Sequence, residues 1–144
     1  MQKELNFPPP QPKINDNRIW DTLGKRWLVN TPEENVRQHL ILYLHHHKGY
    51  PLHCMVTEKK IAVHKVSKRF DLLVYRKSEP YILCECKAPH VHINQNVLDQ
   101  VARYNMALRV PILCMTNGQQ HFLLSFEGGN PTWLKEIPVY RSDL

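Results

Sequence analysis

The sequence has no long apolar run. Nothing in its 144 residues approaches the roughly 18 consecutive apolar residues that a membrane-spanning helix needs. The opening MQKELNFPPPQPK has prolines where a secretion signal would carry its apolar segment, so the expected compartment is the cytoplasm and no membrane partner is expected. No Gly-x4-Gly-Lys-Ser/Thr stretch occurs, which excludes a P-loop motor from these residues. Cysteine is scarce: Cys54, Cys84, Cys86 and Cys114 all lie inside apolar segments. That placement suits reduced core thiols rather than a disulfide framework. With neither Cys-x-x-Cys nor His-x3-His spacing, the run His45–His46–His47 and the pair His90 and His92 do not make a structural zinc site. There is no internal repeat, low-complexity tract or zinc finger.

What is present is an ordinary amount of core and an excess of positive charge. Apolar residues make up 42%, and 19 Lys+Arg against 13 Asp+Glu give a net charge of +6, a surface suited to a polyanion such as nucleic acid. The length predicts one domain over 1–144. Residues 1–13 form a Pro-rich arm, packed or loose, and two β-like pieces over 14–29 form an edge hairpin. A helix follows Thr31, a good N-cap, with Pro32 at its first position and Glu33 and Glu34 in its first turn. Val36, Leu40, Tyr43 and Leu44 are its apolar stripe, and Gly49 and Pro51 end it. Strands are expected over 54–63, 69–76 and 80–87, a helix over 94–109, then strands in PILCMTN and HFLLSF. The tail is mostly irregular. This order predicts a mixed sheet of about four or five strands with helices on both faces.

The segment RFDLLVYRKSEPYILCECKAP places charges where central strands want Val and Ile. Alternation sends Glu85 and Lys87 to one face and Cys84 and Cys86 to the other. If the two strands are neighbours, Asp71 lies across from Glu85. Buried acids need partners, and a hard cation such as Mg²⁺ is a natural one. The plainer alternative is that Asp71 caps a strand start and Glu85–Lys87 is an edge ion pair.

Asp71 followed by Glu85-Cys86-Lys87 resembles the active-site motif of the PD-(D/E)XK nuclease superfamily. The segments TPEENVRQHLILYL, KRFDLLVY, ILCECKAP, DQVARYNMAL and PILCMTNG narrow the resemblance. From about residue 12 to about 140, the chain resembles the N-terminal nuclease domain of type I restriction enzyme R subunits and related stand-alone bacterial proteins. Phe70 stands where the superfamily label has proline. The resemblance implies a restriction-endonuclease-like α/β core. It makes Asp71 and Glu85 metal-binding carboxylates and gives Lys87 the attacking water to position. It also puts a Gln-x-x-x-Tyr pair at Gln100 and Tyr104, which share a helix face; read without it, Tyr104 is a core residue. Its first-helix glutamate is placed on Glu33, nearer the apolar stripe than Glu34, although both acids suit the helix N-terminus alone. His90 and His92 could line the substrate groove. Lys59, Lys60, Lys65, Lys68, Arg69, Arg76 and Lys77 are either a solvated edge or phosphate contacts.

The expectation is therefore a Mg²⁺- or Mn²⁺-dependent endonuclease-type hydrolase. It would act on phosphodiesters in DNA and be related to restriction–modification. Its partner beyond the nucleic acid is a second copy or a protein that supplies specificity. The alternative is a non-catalytic nucleic-acid-binding or assembly module on the same fold.

Overall fold

The computed structural model describes residues 5–63 and 66–142, and for 59–63, 66–69, 104 and 106–108 the backbone alone. Three short strands come first, β1 (Ile14–Asn15), β2 (Arg18–Asp21) and β3 (Arg26–Val29), paired antiparallel in that order. The expected edge hairpin is thus a small sheet of its own, with Trp20 opposite Trp27 and their rings edge to face at 5.3 Å.

Helix α1 (Pro32–Lys48) starts as its sequence predicts. Thr31 accepts a hydrogen bond from the Glu34 amide, and Gly49, at φ 78°, ends it in the left-handed region. Val36, Leu40, Ile41 and Leu44 are at most 1% exposed. At about 1.5–3 kcal/mol for each fully buried side chain, this stripe is what fixes the helix to the sheet.

The main sheet runs in the order β4 (Met55–Val63), β5 (Val66–Arg76), β6 (Glu79–Cys86), β7 (Ile112–Thr116), β8 (His121–Ser125), β9 (Thr132–Trp133). Among the described residues only β6 and β7 are parallel, with α2 (Gln95–Leu108) between them in the chain. The sheet has six strands where four or five were expected. The addition is β9, two residues of the tail paired with Leu124 and Ser125. Strand β5 also begins at Val66, earlier than expected, because it continues its ladder with β4.

The sheet divides the core in two. On the α1 face Leu72, Val74, Ile82, Cys84, Cys86 and Cys114 pack with Leu40, Ile41 and Leu44. On the other face Leu73, Leu83, Leu113 and Met115 pack with Leu98 and Val101 of α2. Helices cover both faces of a mixed sheet, as the element order implied.

The N-terminal arm is packed from Leu5 onward. The Asn6 amide donates to the Gly118 carbonyl at 2.7 Å, and Phe7 lies among the rings of His39, Tyr43 and His121. Among the described residues no helix is long and apolar enough to cross a membrane.

Candidate active site at the fork of two strands

The β5–β6 ladder stops short of the end of β6. Its last pair on that side is Leu72↔Cys84, so beyond it the two strands part. Asp71 fills the fork. Its Oδ2 accepts a hydrogen bond from the Cys86 amide at 2.7 Å, a strand amide that points along the sheet toward β5. The carboxylate thus takes the place of a ladder carbonyl and sits against the backbone between Glu85 and Lys87. Glu85 is 7% exposed, and alternation from Leu83 directs it to the α2 side. Lys87 is half-buried just past the strand end, its amide donating to the Thr116 carbonyl at 2.8 Å.

Asp71 does not follow plain alternation. Phe70 packs with Leu73 on the α2 face, while Leu72 and Val74 pack on the α1 face; the two-residue phase slips at Asp71. Opposite it, between the pairs Thr57↔Leu72 and Lys59↔Phe70, Glu58 has φ 55°, a left-handed conformation that a residue other than glycine adopts at a cost. The slip opens Asp71 to a half-open cleft of about 160 Å³ lined also by Thr31, Glu33, Glu34, Arg37, Glu58 and Cys86.

Arg37 is the cleft's cation. Its guanidinium bonds Glu34, with Nε 2.9 Å from Oε2, lies 3.5 Å from a Glu58 oxygen, and donates through Nη1 to the Asp71 carbonyl at 3.3 Å. Burial alone would lower its pKa. The Glu34 hydrogen bond and the charges of Glu34, Glu58 and Asp71 outweigh that and raise it, so it stays charged. Gln38 ties the group to the small sheet, donating to Glu34 and to Asp21 at 3.1 and 3.2 Å. Of the two first-turn acids, Glu33 is exposed at the cleft rim and Glu34 is the one drawn inside. The apolar stripe alone does not show this, because Arg37 and Gln38, one turn on, supply the pull. Arg37 and Glu58 were not singled out from sequence; the i, i+3 pair Glu34–Arg37 was the available signal.

Gln100 lies exposed on α2. The backbone of Tyr104 falls four residues later on the same helix, and its side chain lies outside the described residues. His90 and His92 are exposed on the loop after Lys87. His45 and His47 bond the carbonyls of Tyr50 and Pro9 respectively. The four cysteines are unpaired with one another as disulfides. A hydrogen bond with Cys114, then burial, raises the Cys84 thiol well above its ordinary pKa; burial does the same for Cys86, with the Asp71 charge adding to it. Protonated thiols are poor metal ligands and nucleophiles.

The donors around the fork are hard carboxylate oxygens. Among the described residues no group of three or more His, Cys, Asp or Glu is set to hold a metal. That donor set fits a cation that takes one or two carboxylates and keeps most of its waters, as Mg²⁺ does; it does not fit zinc.

A solved fragment of an HsdR subunit of a type I restriction enzyme from Vibrio vulnificus YJ016 is similar in structure. The TM-score is 0.56 at 17% identity, over 74% of this chain and 23% of that one. At that identity the likeness is one of fold, and the chain spans about a quarter of that protein's length. No curated protein sequence matches. The family model described as the type I restriction enzyme R protein N terminus matches residues 32–138. That stretch holds α1, the six-stranded sheet with its fork, and α2, and the chain belongs to that family.

Proposed function

We propose that this chain is a Mg²⁺- or Mn²⁺-dependent nuclease that hydrolyses phosphodiester bonds in DNA, related to restriction–modification and working in the cytoplasm. The observation that carries the reading is the Asp71 carboxylate held against the amide between Glu85 and Lys87. Glu85 and Lys87 flank Cys86 in the chain, which supports a site at this fork.

Asp71 and Glu85 are the residues that would hold the cation. When bound, it would polarise a phosphate oxygen and lower the pKa of a water. The Cys86 amide fixes Asp71 so that one carboxylate oxygen is committed and the other is left to the site. Lys87, half-buried at the strand end, orients the attacking water or a phosphate oxygen as a point charge. Glu33 at the cleft rim and the Gln100 and Tyr104 positions of α2 would supply further polar groups. A second copy or a separate protein supplies sequence choice.

A second reading, a nucleic-acid-binding or assembly module without turnover, is favoured by one observation: Arg37 already neutralises the acids Glu34 and Glu58. Cleavage of supercoiled, linear and single-stranded DNA with Mg²⁺ or Mn²⁺, set beside Mn²⁺ calorimetry, separates the two. Metal-dependent cutting that disappears in Lys87→Ala supports the nuclease. Metal binding to the wild type without cutting of any substrate supports the module, and neither binding nor cutting removes the nuclease reading.

A further inference from the structure

Strands β4 and β5 run on together past the point where β6 leaves them. From Lys59↔Phe70 to Val63↔Val66 they pair with each other, whereas the pairing of β5 with β6 begins only at Leu72. This stretch is a two-stranded ribbon rooted at Glu58 and Asp71, the floor of the candidate site. Its described positions, 59–63 and 66–70, carry Lys59, Lys60, Lys68 and Arg69 and no acid. Lys60 stands directly opposite Arg69 in the register, and Lys68 opposite Ile61.

Like charges placed directly opposite in an antiparallel pair destabilise it, and an isolated two-stranded ribbon is marginal to begin with. Lysines on an edge also discourage strand pairing between molecules, but that purpose does not require cations at directly opposite register positions. A partner that supplies the missing negative charge does. Five residues of strand span roughly 15 Å, enough to cross a major groove about 12 Å wide, which admits a two-stranded ribbon.

We propose that the ribbon formed by Lys59–Val63 and Val66–Phe70 grips duplex DNA through its phosphates, delivering the backbone to the fork at Asp71. The inference rests on the nucleic-acid reading above and names the element that does the binding. Such contacts position without reading sequence.

The test is fluorescence anisotropy with the full chain in EDTA, so that binding is read without cleavage. The probes are a labelled DNA duplex of about 20 base pairs, its single strand and a duplex RNA of the same length. The duplex should bind in a salt-dependent way. Lys60→Gln with Arg69→Gln should weaken it at least tenfold and lower the slope of log K against log salt by about 1.8, two phosphate contacts' worth. The charge-keeping pair Lys60→Arg with Arg69→Lys should stay near wild type, as should Lys13→Gln with Lys135→Gln, both exposed and away from the ribbon. The neutral pair should melt no lower than wild type, since it relieves the opposed charges; if it fails to fold, Lys59→Gln with Lys68→Gln replaces it. The proposal is overturned by wild-type affinity and slope in the neutral variant, by an equal loss in the Lys13–Lys135 control, or by a wild type that binds no DNA duplex. Ribbon-dependent binding without any metal-dependent cleavage would sink the nuclease reading and leave the ribbon standing. Cleavage that ribbon neutralisation leaves unchanged would do the reverse.

Discussion

The Asp71 carboxylate and the Cys86 amide are 2.7 Å apart, and this bond closes the fork between β5 and β6 where their ladder ends. A side chain here does a backbone carbonyl's job. It places a negative charge against the backbone of the strand that carries Glu85, one residue before Lys87.

Two substitutions of Asp71 separate its structural duty from its chemical one. Asp71→Asn keeps an oxygen for the Cys86 amide, so unfolding stability should stay within about 0.5 kcal/mol of wild type. Asp71→Ala leaves a nearly buried N–H without its acceptor and should cost about 1–3 kcal/mol. Both should abolish metal-dependent cleavage. Urea unfolding beside the plasmid assay checks this, and an Asn variant that still cuts would remove Asp71 from the chemistry.

Much of the fold was legible in the sequence because local signals agreed with the packing. Thr31, Pro32 and Gly49 bound α1 as capping chemistry dictates, and the run YILCEC is buried on both faces as a central strand. The site was legible only up to its phase. Two-residue alternation places Asp71 with Glu85, and the chain instead slips at Asp71, across from Glu58 with its left-handed backbone. No propensity for Glu announces that conformation, and the Arg37 guanidinium 3.5 Å from the Glu58 carboxylate is a tertiary contact that no local pattern shows. The same holds for Glu34, which helix geometry directs away from the stripe and Arg37 recovers. Strand β9 was missed because two residues carry no period to read.

The turn joining β5 to β6 is open to improvement. Lys77 and Ser78 have φ of 52° and 63°, both positive, as a two-residue hairpin loop of the mirror-image type I form requires. Neither residue favours that region, whereas Asn and Gly do. Lys77→Asn with Ser78→Gly should stabilise the protein by about 1 kcal/mol and raise its melting temperature by roughly 2–4 °C. The candidate site lies away from this turn, so Mn²⁺ binding should not change. Scanning calorimetry of the double variant decides it.

Stability should fall in mild acid through His39. The residue is 7% exposed, with Nδ1 2.7 Å from the Asn35 carbonyl and Nε2 2.8 Å from the Gln11 side chain. Burial lowers its pKa below the ordinary value, and the Asn35 bond only partly opposes that. The unfolded chain therefore takes up the proton first as pH drops through about 6.5, so the unfolded state binds more protons and stability declines with falling pH. Below the folded pKa this contribution levels off. Melting curves between pH 7.5 and 5 should show the decline, and His39→Gln, which cannot titrate, should flatten that part of it. An equally steep decline in the variant would assign the effect to other groups.

Arg37 should be the costliest single charge to remove. Its side chain is 10% exposed and that of Glu34 is 11%, so Arg37→Met strands a nearly buried carboxylate, at a cost of about 3 kcal/mol. Adding Glu34→Gln removes the stranded charge and should recover most of the loss, because a buried pair is worth little once both partners are gone. The cycle of both single variants and the double, measured by urea unfolding, gives the coupling directly. Removing Arg37 also takes the guanidinium from among Glu34, Glu58 and Asp71. A divalent cation that binds the folded state alone stabilises it by mass action, so added Mn²⁺ should raise the melting temperature of Arg37→Met more than that of the wild type. If the two respond equally, the acids Arg37 holds are not those that meet the metal, and the cation's place narrows to Asp71 and Glu85.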